Sequence, residues 1–149
     1  MKFQSAFIDY TKPFEIDDDI TFQGIRYDNG PLIIKDSCVY VPFEVSKFGS
    51  VTLTVDKKSE MFTILKTLEK TLRITIMKMP ADEKYNPTIN VKIGDIKDIP
   101  VKSTMSCEIQ VTGIWKNADT NKKGVSLKLV KIGASEKPKR ELESFKSIL

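Results

Sequence analysis

One segment near the end of the chain, residues 106–132, combines side chains able to bind a flexible polyanion. It contains the chain's only tryptophan, Trp115, and its solvent side and turn carry Lys116, Lys122, Lys123 and Lys128. Apolar and polar residues alternate on both sides of a polar turn, which predicts two antiparallel strands with one buried face. Because aromatic rings stack on bases and lysines contact phosphates, this hairpin favours binding of single-stranded nucleic acid.

The direction in which Trp115 faces depends on Gly113. Cys107, Ile109 and Val111 share the buried face of the predicted strand. Gly113 interrupts this alternation and is a candidate for a β-bulge, which adds one residue to a strand. If Trp115 keeps the parity of the buried face, it fills the core; if a bulge reverses the parity, the indole lies on the binding surface. The sequence leaves both orientations open.

Further candidate binding residues are rings and cations predicted to lie outside the core. Tyr40 has the opposite parity to Val39 and Val41, which predicts an exposed ring on that strand. Two other rings fall in predicted turns, and three cations are predicted to point outward from neighbouring strands. These six candidates are Tyr40, Phe48, Tyr85, Arg73, Lys78 and Lys92.

The elements that must position these residues are mostly strands. Alternation and turn residues predict strands over 20–27, 32–35, 38–45, 51–55, 73–79 and 88–93. Residues 59–72 form the one predicted helix, because apolar residues recur there at intervals of three and four. Asp56 and Ser59 are both candidates for its N-cap. Residues 1–19 are predicted to be a lead-in segment, with a turn or loop at the acidic run 17–19.

This order of elements predicts a mainly β protein, an OB-fold-like β-barrel with one packed amphipathic α-helix. Residues 1–132 are predicted to form a single domain, and residues 133–149 a tail or a short helix. Long apolar strands alternating with helices are absent, which argues against a doubly wound parallel sheet.

Composition argues against catalysis and against metal binding. The 149 residues include no histidine and only two cysteines, so an ordinary zinc site and any histidine base are excluded. Neither a phosphate-binding loop nor a dinucleotide fingerprint occurs. We therefore expect no catalytic residues, no metal and no cofactor.

Charge is unevenly distributed and favours an anionic partner. The net charge is +4, yet residues 1–36 hold four basic and seven acidic side chains, whereas residues 37–149 hold 20 basic and 13 acidic ones. A basic body is typical of nucleic-acid binding. No signal-peptide pattern or long apolar run is present, so we expect an intracellular, non-secreted protein without a membrane partner.

The chain resembles the single-stranded-DNA-binding proteins of DNA viruses and phages. The resemblance covers roughly residues 20–132 and rests on five features: Val41-Pro42, Gly49, the helix over 59–72, Gly113-Ile114-Trp115, and the closing pattern over 124–129. It implies an OB-fold core that coats single strands during genome replication or recombination, without catalysis. One departure concerns the tail, which is mixed and slightly basic here, whereas many such proteins end in an acidic tail.

The expected partner is therefore single-stranded DNA, although the residues do not distinguish DNA from RNA. Self-association through the acidic N-terminal segment, or through Phe145, Ile148 and Leu149 of the tail, is a further expectation. The alternative function is a non-enzymatic protein-interaction or assembly module with a β-barrel core, because the acidic N-terminal third could contact the basic remainder of another copy.

Overall fold

The computed structural model describes residues 3–82 and 84–135, and its elements are mostly strands. A short 3-10 turn over Ser5–Phe7 precedes the first strand. The strands and the helix are β1 (Ile8–Tyr10), β2 (Phe14–Asp17), β3 (Ile20–Tyr27), β4 (Gly30–Val41), β5 (Ser50–Thr54), α1 (Glu60–Leu72), β6 (Thr88–Lys92), β7 (Ser103–Asn117) and β8 (Lys122–Gly133). The prediction of a mainly β protein with one helix is confirmed.

Five strands close into a ring around the core. β4 pairs with β5, β5 with β6, β6 with β8, β8 with β7, and β7 returns to β4. All of these pairs are antiparallel except β6 with β8, which is parallel. The inward side chains of the ring, such as Val39, Leu53, Ile89 and Ile109, are at most 2% exposed. This closure gives a barrel-like core.

The lead-in segment contains two short strands, β1 and β2, that were not predicted from the sequence. β1 and β2 both pair with β3, on the edge opposite to the one that β3 shares with β7. The predicted turn at the acidic run is present between β2 and β3. β2 forms a tight hairpin with β3, in which Asp17 pairs with Ile20, and β1 pairs with the far end of β3. Strands of three and four residues are too short to show a clear alternation.

The helix α1 closely follows its prediction. Ser59 is the N-cap, and its Oγ accepts a hydrogen bond from the Phe62 amide at 3.1 Å. The buried stripe consists of Met61, Leu65 and Leu68. The helix ends at Arg73, which has the left-handed conformation common at helix C-termini, with φ of 57°.

The predicted strand over 73–79 is wrong. The backbone amides of Ile76 and Met77 donate to the carboxylate Oε2 of Glu69, at 2.8 and 2.9 Å, instead of entering a strand ladder. Within the described residues, only the bridge between Lys78 and Thr88 links this segment to the sheet. The alternation of apolar residues predicted a strand here, but the Glu69 side chain of α1 accepts the backbone hydrogen bonds that a neighbouring strand would otherwise accept.

The two strands predicted over 32–35 and 38–45 are one long strand, β4, that contains an irregularity. Its register with β7 shifts between Asp36 and Val39, and the Asp36 carboxylate accepts the Cys38 amide at 3.1 Å. The strand ends at Val41, directly before Pro42, which has no amide hydrogen to donate. The predicted packing role of residues 136–149 lies outside the described residues.

Candidate nucleic-acid interface

A bulge in β7 decides which way Trp115 faces. Val111 pairs with Leu127 and Gly113 with Ser126, so β7 has one more residue than β8 between these pairs. Val111 is fully buried before the bulge, and Ile114 is buried after it, which reverses the parity of the strand. Trp115 is therefore turned away from the core and is half-buried on the outer face.

The indole of Trp115 lies against the backbone of β8 at Gly124. A Cβ at that glycine would lie 2.5 Å from Cζ2 and 2.7 Å from Nε1 of the indole. Any larger residue would push the ring out of this position, since real Cβ atoms do not approach so closely. The missing side chain of Gly124 therefore allows the indole of Trp115 to lie against the sheet, and part of the ring remains in contact with solvent.

A groove opens beside Trp115 because the ring of strands closes there through a single residue pair. β6 and β8 pair at Lys92 and Lys128, and no other pair of these strands is bonded within the described residues. Toward Thr88 and Gly124 the strands diverge, leaving two adjoining cavities of about 260 and 200 Å³. We call this space the Trp115 groove; it is lined by Ser50, Lys78, Asn90, Lys92, Trp115, Lys123 and Val125.

The Trp115 groove is cationic and has a polar, ordered wall. Lys78, Lys92 and Lys123 are all exposed, and no carboxylate lines either cavity within the described part of the chain. Asn90 is held in place by Thr52, whose hydroxyl donates to the Asn90 Oδ1 at 2.8 Å. This arrangement can place a flat, uncharged ring on the indole while phosphates contact the lysines.

The hairpin tip between β7 and β8 extends the cationic surface. A cavity of about 590 Å³ lies there, lined among others by Lys116, Lys122, Lys123 and the single acid Asp19. The Asn117 side chain accepts the amides of Asp119 and Thr120, at 3.0 and 3.2 Å, which fixes the turn. Lys123 lines both this cavity and the Trp115 groove, so the two regions are continuous.

The loop between β4 and β5 carries the exposed ring of Phe48. The Phe48 ring is 84% exposed, and the Lys47 ammonium lies 5.2 Å from its centroid. Ser46 organises the turn, because its amide donates to the Ser50 carbonyl at 2.8 Å and its carbonyl accepts the Gly49 amide. Ser50, at the end of this turn, lines the Trp115 groove.

Three predicted site residues lie elsewhere or are buried. Tyr40 is only 2% exposed and clusters with Cys38, so its prediction as an exposed stacking ring is wrong. The alternation correctly predicts that Tyr40 lies on the outer face of β4, but its side chain is buried there. Arg73 is an exposed helix cap rather than a strand residue, and Tyr85 is half-buried beside Lys84; neither lines the Trp115 groove.

Most of the remaining predicted residues come together, whereas Phe48 lines none of these cavities and Lys128 lies at the margin. Trp115, Lys78, Lys92 and Lys123 meet in one groove, and Lys116 and Lys122 adjoin it at the hairpin tip. Lys128 is exposed and lies where the groove closes, next to Gly94. Sequence reasoning missed Asn90 and Ser50 as wall residues, although strict alternation around Asn90 already indicates its outward direction.

A cavity of about 350 Å³ at the far end of the β7–β8 hairpin has a different character. Its lining mixes acids and bases, including Asp36, Glu108 and Lys131, and the last two form an ion pair of 3.9 Å. Burial, and then the neighbouring Asp36 carboxylate, raise the pKa of the Cys107 thiol far above its usual range. The mixed charge makes this cavity a poor site for a polyanion.

Comparison with known protein families, with curated protein sequences and with solved structures finds no significant match to this chain. The described part of the chain contains no helix long and apolar enough to cross a membrane.

Proposed function

We propose that this protein binds single-stranded DNA with little sequence preference, through the Trp115 groove. The observation that supports this proposal is a half-buried tryptophan in a groove that presents three exposed lysines and, among the residues that the structure describes, no carboxylate. Bases would stack on the indole, and Lys78, Lys92 and Lys123 would contact the phosphates. Stacking accepts every base and lysine contacts carry no sequence information, so such a site is tolerant of sequence.

The location of the groove on the strand ring supports the same proposal. In OB-folds, oligonucleotides bind on the face of the second and third strands, between the loops that join strands one and two and strands four and five. When the ring strands are numbered in chain order from β4, strands two and three are β5 and β6. The loop between strands one and two then carries Phe48, and the loop between strands four and five is the tip of the β7–β8 hairpin. Trp115 and Phe48 lie on these elements, as do the lysines Lys92, Lys116, Lys122 and Lys123.

The resemblance to viral and phage proteins extends the proposal to a biological role. In that role the protein would coat single strands during genome replication or recombination, without catalysing a reaction. The groove geometry itself supports binding only, and RNA would satisfy the same stacking and charge contacts.

Titration with oligo(dT), followed by Trp115 fluorescence, tests the proposal directly because Trp115 is the chain's only tryptophan. We expect quenching on binding, and about 20-fold weaker binding for a fourfold rise in salt if three phosphates are contacted. Trp115→Ala should weaken binding by about five- to 150-fold, corresponding to one stacked base, while the protein stays folded.

Controls separate this site from general electrostatic attraction. Duplex DNA of equal length should compete poorly, because its bases are not free to stack, and an RNA oligomer compares the two single-stranded ligands. Binding of oligo(dT) that does not respond to salt and does not quench Trp115 would sink the proposal.

A further inference from the structure

β2, β3, β7 and β8 form a four-stranded sheet whose two outer edges differ in charge. One residue from each strand lies in a single cross-strand row: Phe14, Phe22, Trp115 and Gly124. Within the described residues, β2 pairs only with β3, so its outer edge offers backbone groups to another strand. At the opposite side, the outer edge of β8 before Lys128 has no strand partner among residues 3–82 and 84–135, and it borders the Trp115 groove there.

The β2 edge is acidic and apolar. Phe14 and Ile16 are 53% and 56% exposed, although both are large hydrophobic residues. Residues 8–19 hold one lysine against five carboxylates: Asp9, Glu15, Asp17, Asp18 and Asp19. An anionic strand with exposed apolar side chains is poorly suited to contact nucleic acid, yet it needs a partner to cover its apolar surface.

The β8 edge is complementary to β2 in three respects. Lys122 and Lys123 supply positive charge, and Lys78 and Lys92 add more from the opposite wall of the groove. Trp115 and Val125 supply apolar surface. The unpaired backbone of β8 supplies the hydrogen-bonding edge that an added strand requires.

We propose that β2 of one copy of the chain pairs with the β8 edge of a second copy and occupies its Trp115 groove. Pairing of two β2 edges would place carboxylates against carboxylates, and pairing of two β8 edges would place lysines against lysines. The favourable contact is therefore head-to-tail. Such a contact closes into a ring or continues as an open chain, and it does not stop at a symmetric dimer.

The head-to-tail contact uses the same groove as the proposed DNA site. A single strand and β2 of a neighbour then compete for Trp115, so single-stranded DNA dissociates the assembly. This competition rests on the proposed function, whereas the contact between copies does not depend on it.

A charge-swap experiment tests the contact. Analytical ultracentrifugation of the wild-type chain without DNA should show species larger than the monomer that grow with concentration and disappear at high salt. Glu15→Lys/Asp18→Lys and Lys122→Glu/Lys123→Glu should each be monomeric alone, because each pair of substitutions cancels the net charge of one edge and so removes the attraction between the two unlike edges. An equimolar mixture of the two variants should assemble again, because each then supplies the edge that the other lacks.

A matched control changes the same charge elsewhere. Glu44→Lys/Asp95→Lys replaces two exposed acids outside β2 and should assemble like the wild type. A wild-type chain that stays monomeric at all concentrations, or a mixture that stays monomeric although both variants are folded, overturns the inference. If the chain is monomeric yet binds oligo(dT), the inference alone fails; if it assembles yet does not bind oligo(dT), the proposed function alone fails.

Discussion

Trp115 and Gly124 face each other across β7 and β8, and the missing side chain of Gly124 provides the space that the indole occupies. The glycine is buried, and the tryptophan is half-buried. The pair therefore places an aromatic surface at the groove without exposing the whole ring, which limits the rotamer entropy that a ligand must remove.

Gly124→Ala should weaken oligo(dT) binding about fivefold or more, because the added Cβ forces the indole out of its position. Its fluorescence emission should shift to longer wavelength as the ring becomes more exposed. Gly30→Ala is the matched control, since the nearest atom to its Cβ would be 3.8 Å away, an ordinary contact. Unchanged affinity in folded Gly124→Ala would show that the position of the indole does not matter for binding.

The groove lysines should set the salt dependence of binding. Lys123→Ala should reduce the slope of log affinity against log salt by about 0.7, the value for one phosphate of a single strand. Lys70→Ala removes an exposed lysine from α1, away from the groove, and should leave the slope unchanged. Equal slopes for Lys123→Ala and the wild type would remove Lys123 from the interface.

Tyr40 and Phe48 should have opposite phenotypes because their exposures are 2% and 84%. Tyr40→Ala should lower the free energy of unfolding by about 3 kcal/mol, as expected when a buried aromatic side chain is deleted. Phe48→Ala should leave that free energy nearly unchanged and weaken oligo(dT) binding by about 1 kcal/mol. Urea denaturation and fluorescence titration of both variants measure the two quantities; the reverse pattern would restore Tyr40 as a binding residue.

Cys107 should make the protein less stable at alkaline pH. Burial raises the pKa of its thiol in the folded state above the unfolded value, so the stabilising contribution is complete below about pH 8.5. Above that pH the unfolded chain releases a proton that the folded chain keeps, and the free energy of unfolding falls by about 1.4 kcal/mol per pH unit. Urea denaturation at several pH values should show a shallower decline for Cys107→Ala; an identical decline would contradict this role.

Sequence patterns correctly predicted those elements whose structure depends only on residues within the element itself. The spacing of Leu65, Leu68 and Leu72, which are three and four residues apart, together with Ser59 as a cap, predicted α1 nearly to the residue. Alternation predicted β3, β5 and β6 within one residue at each end. In each case the signal lies within one turn of helix or one strand, so no distant contact is needed to interpret it.

Predictions failed where a distant group supplied the hydrogen bonds or the burial. Glu69 binds the backbone amides of a segment that alternates like a strand, and Tyr40 is buried on the outer face of its strand. β1 and β2 exist because β3 offers them an edge. Glu69 lies seven residues from Ile76, and β1 pairs with residues at least 15 positions away, so a local pattern does not reveal these partners. β2 pairs with its neighbour in a hairpin, but its four residues are too few to show a clear alternation.

By itself, the sequence determined the mainly β class, the helix, the outward lysines and the concentration of positive charge around the C-terminal hairpin, because these follow from periodicity and composition. Only the tertiary structure decided that Trp115 faces outward, since the choice depends on one extra residue in the register of β7 against β8. Only the tertiary structure brings Lys78 and Lys92 to the same groove as Trp115 and Lys123. The groove exists because the parallel strands β6 and β8 diverge from the Lys92–Lys128 pair. This divergence arises where the ring of strands closes, so no single segment of the sequence determines it.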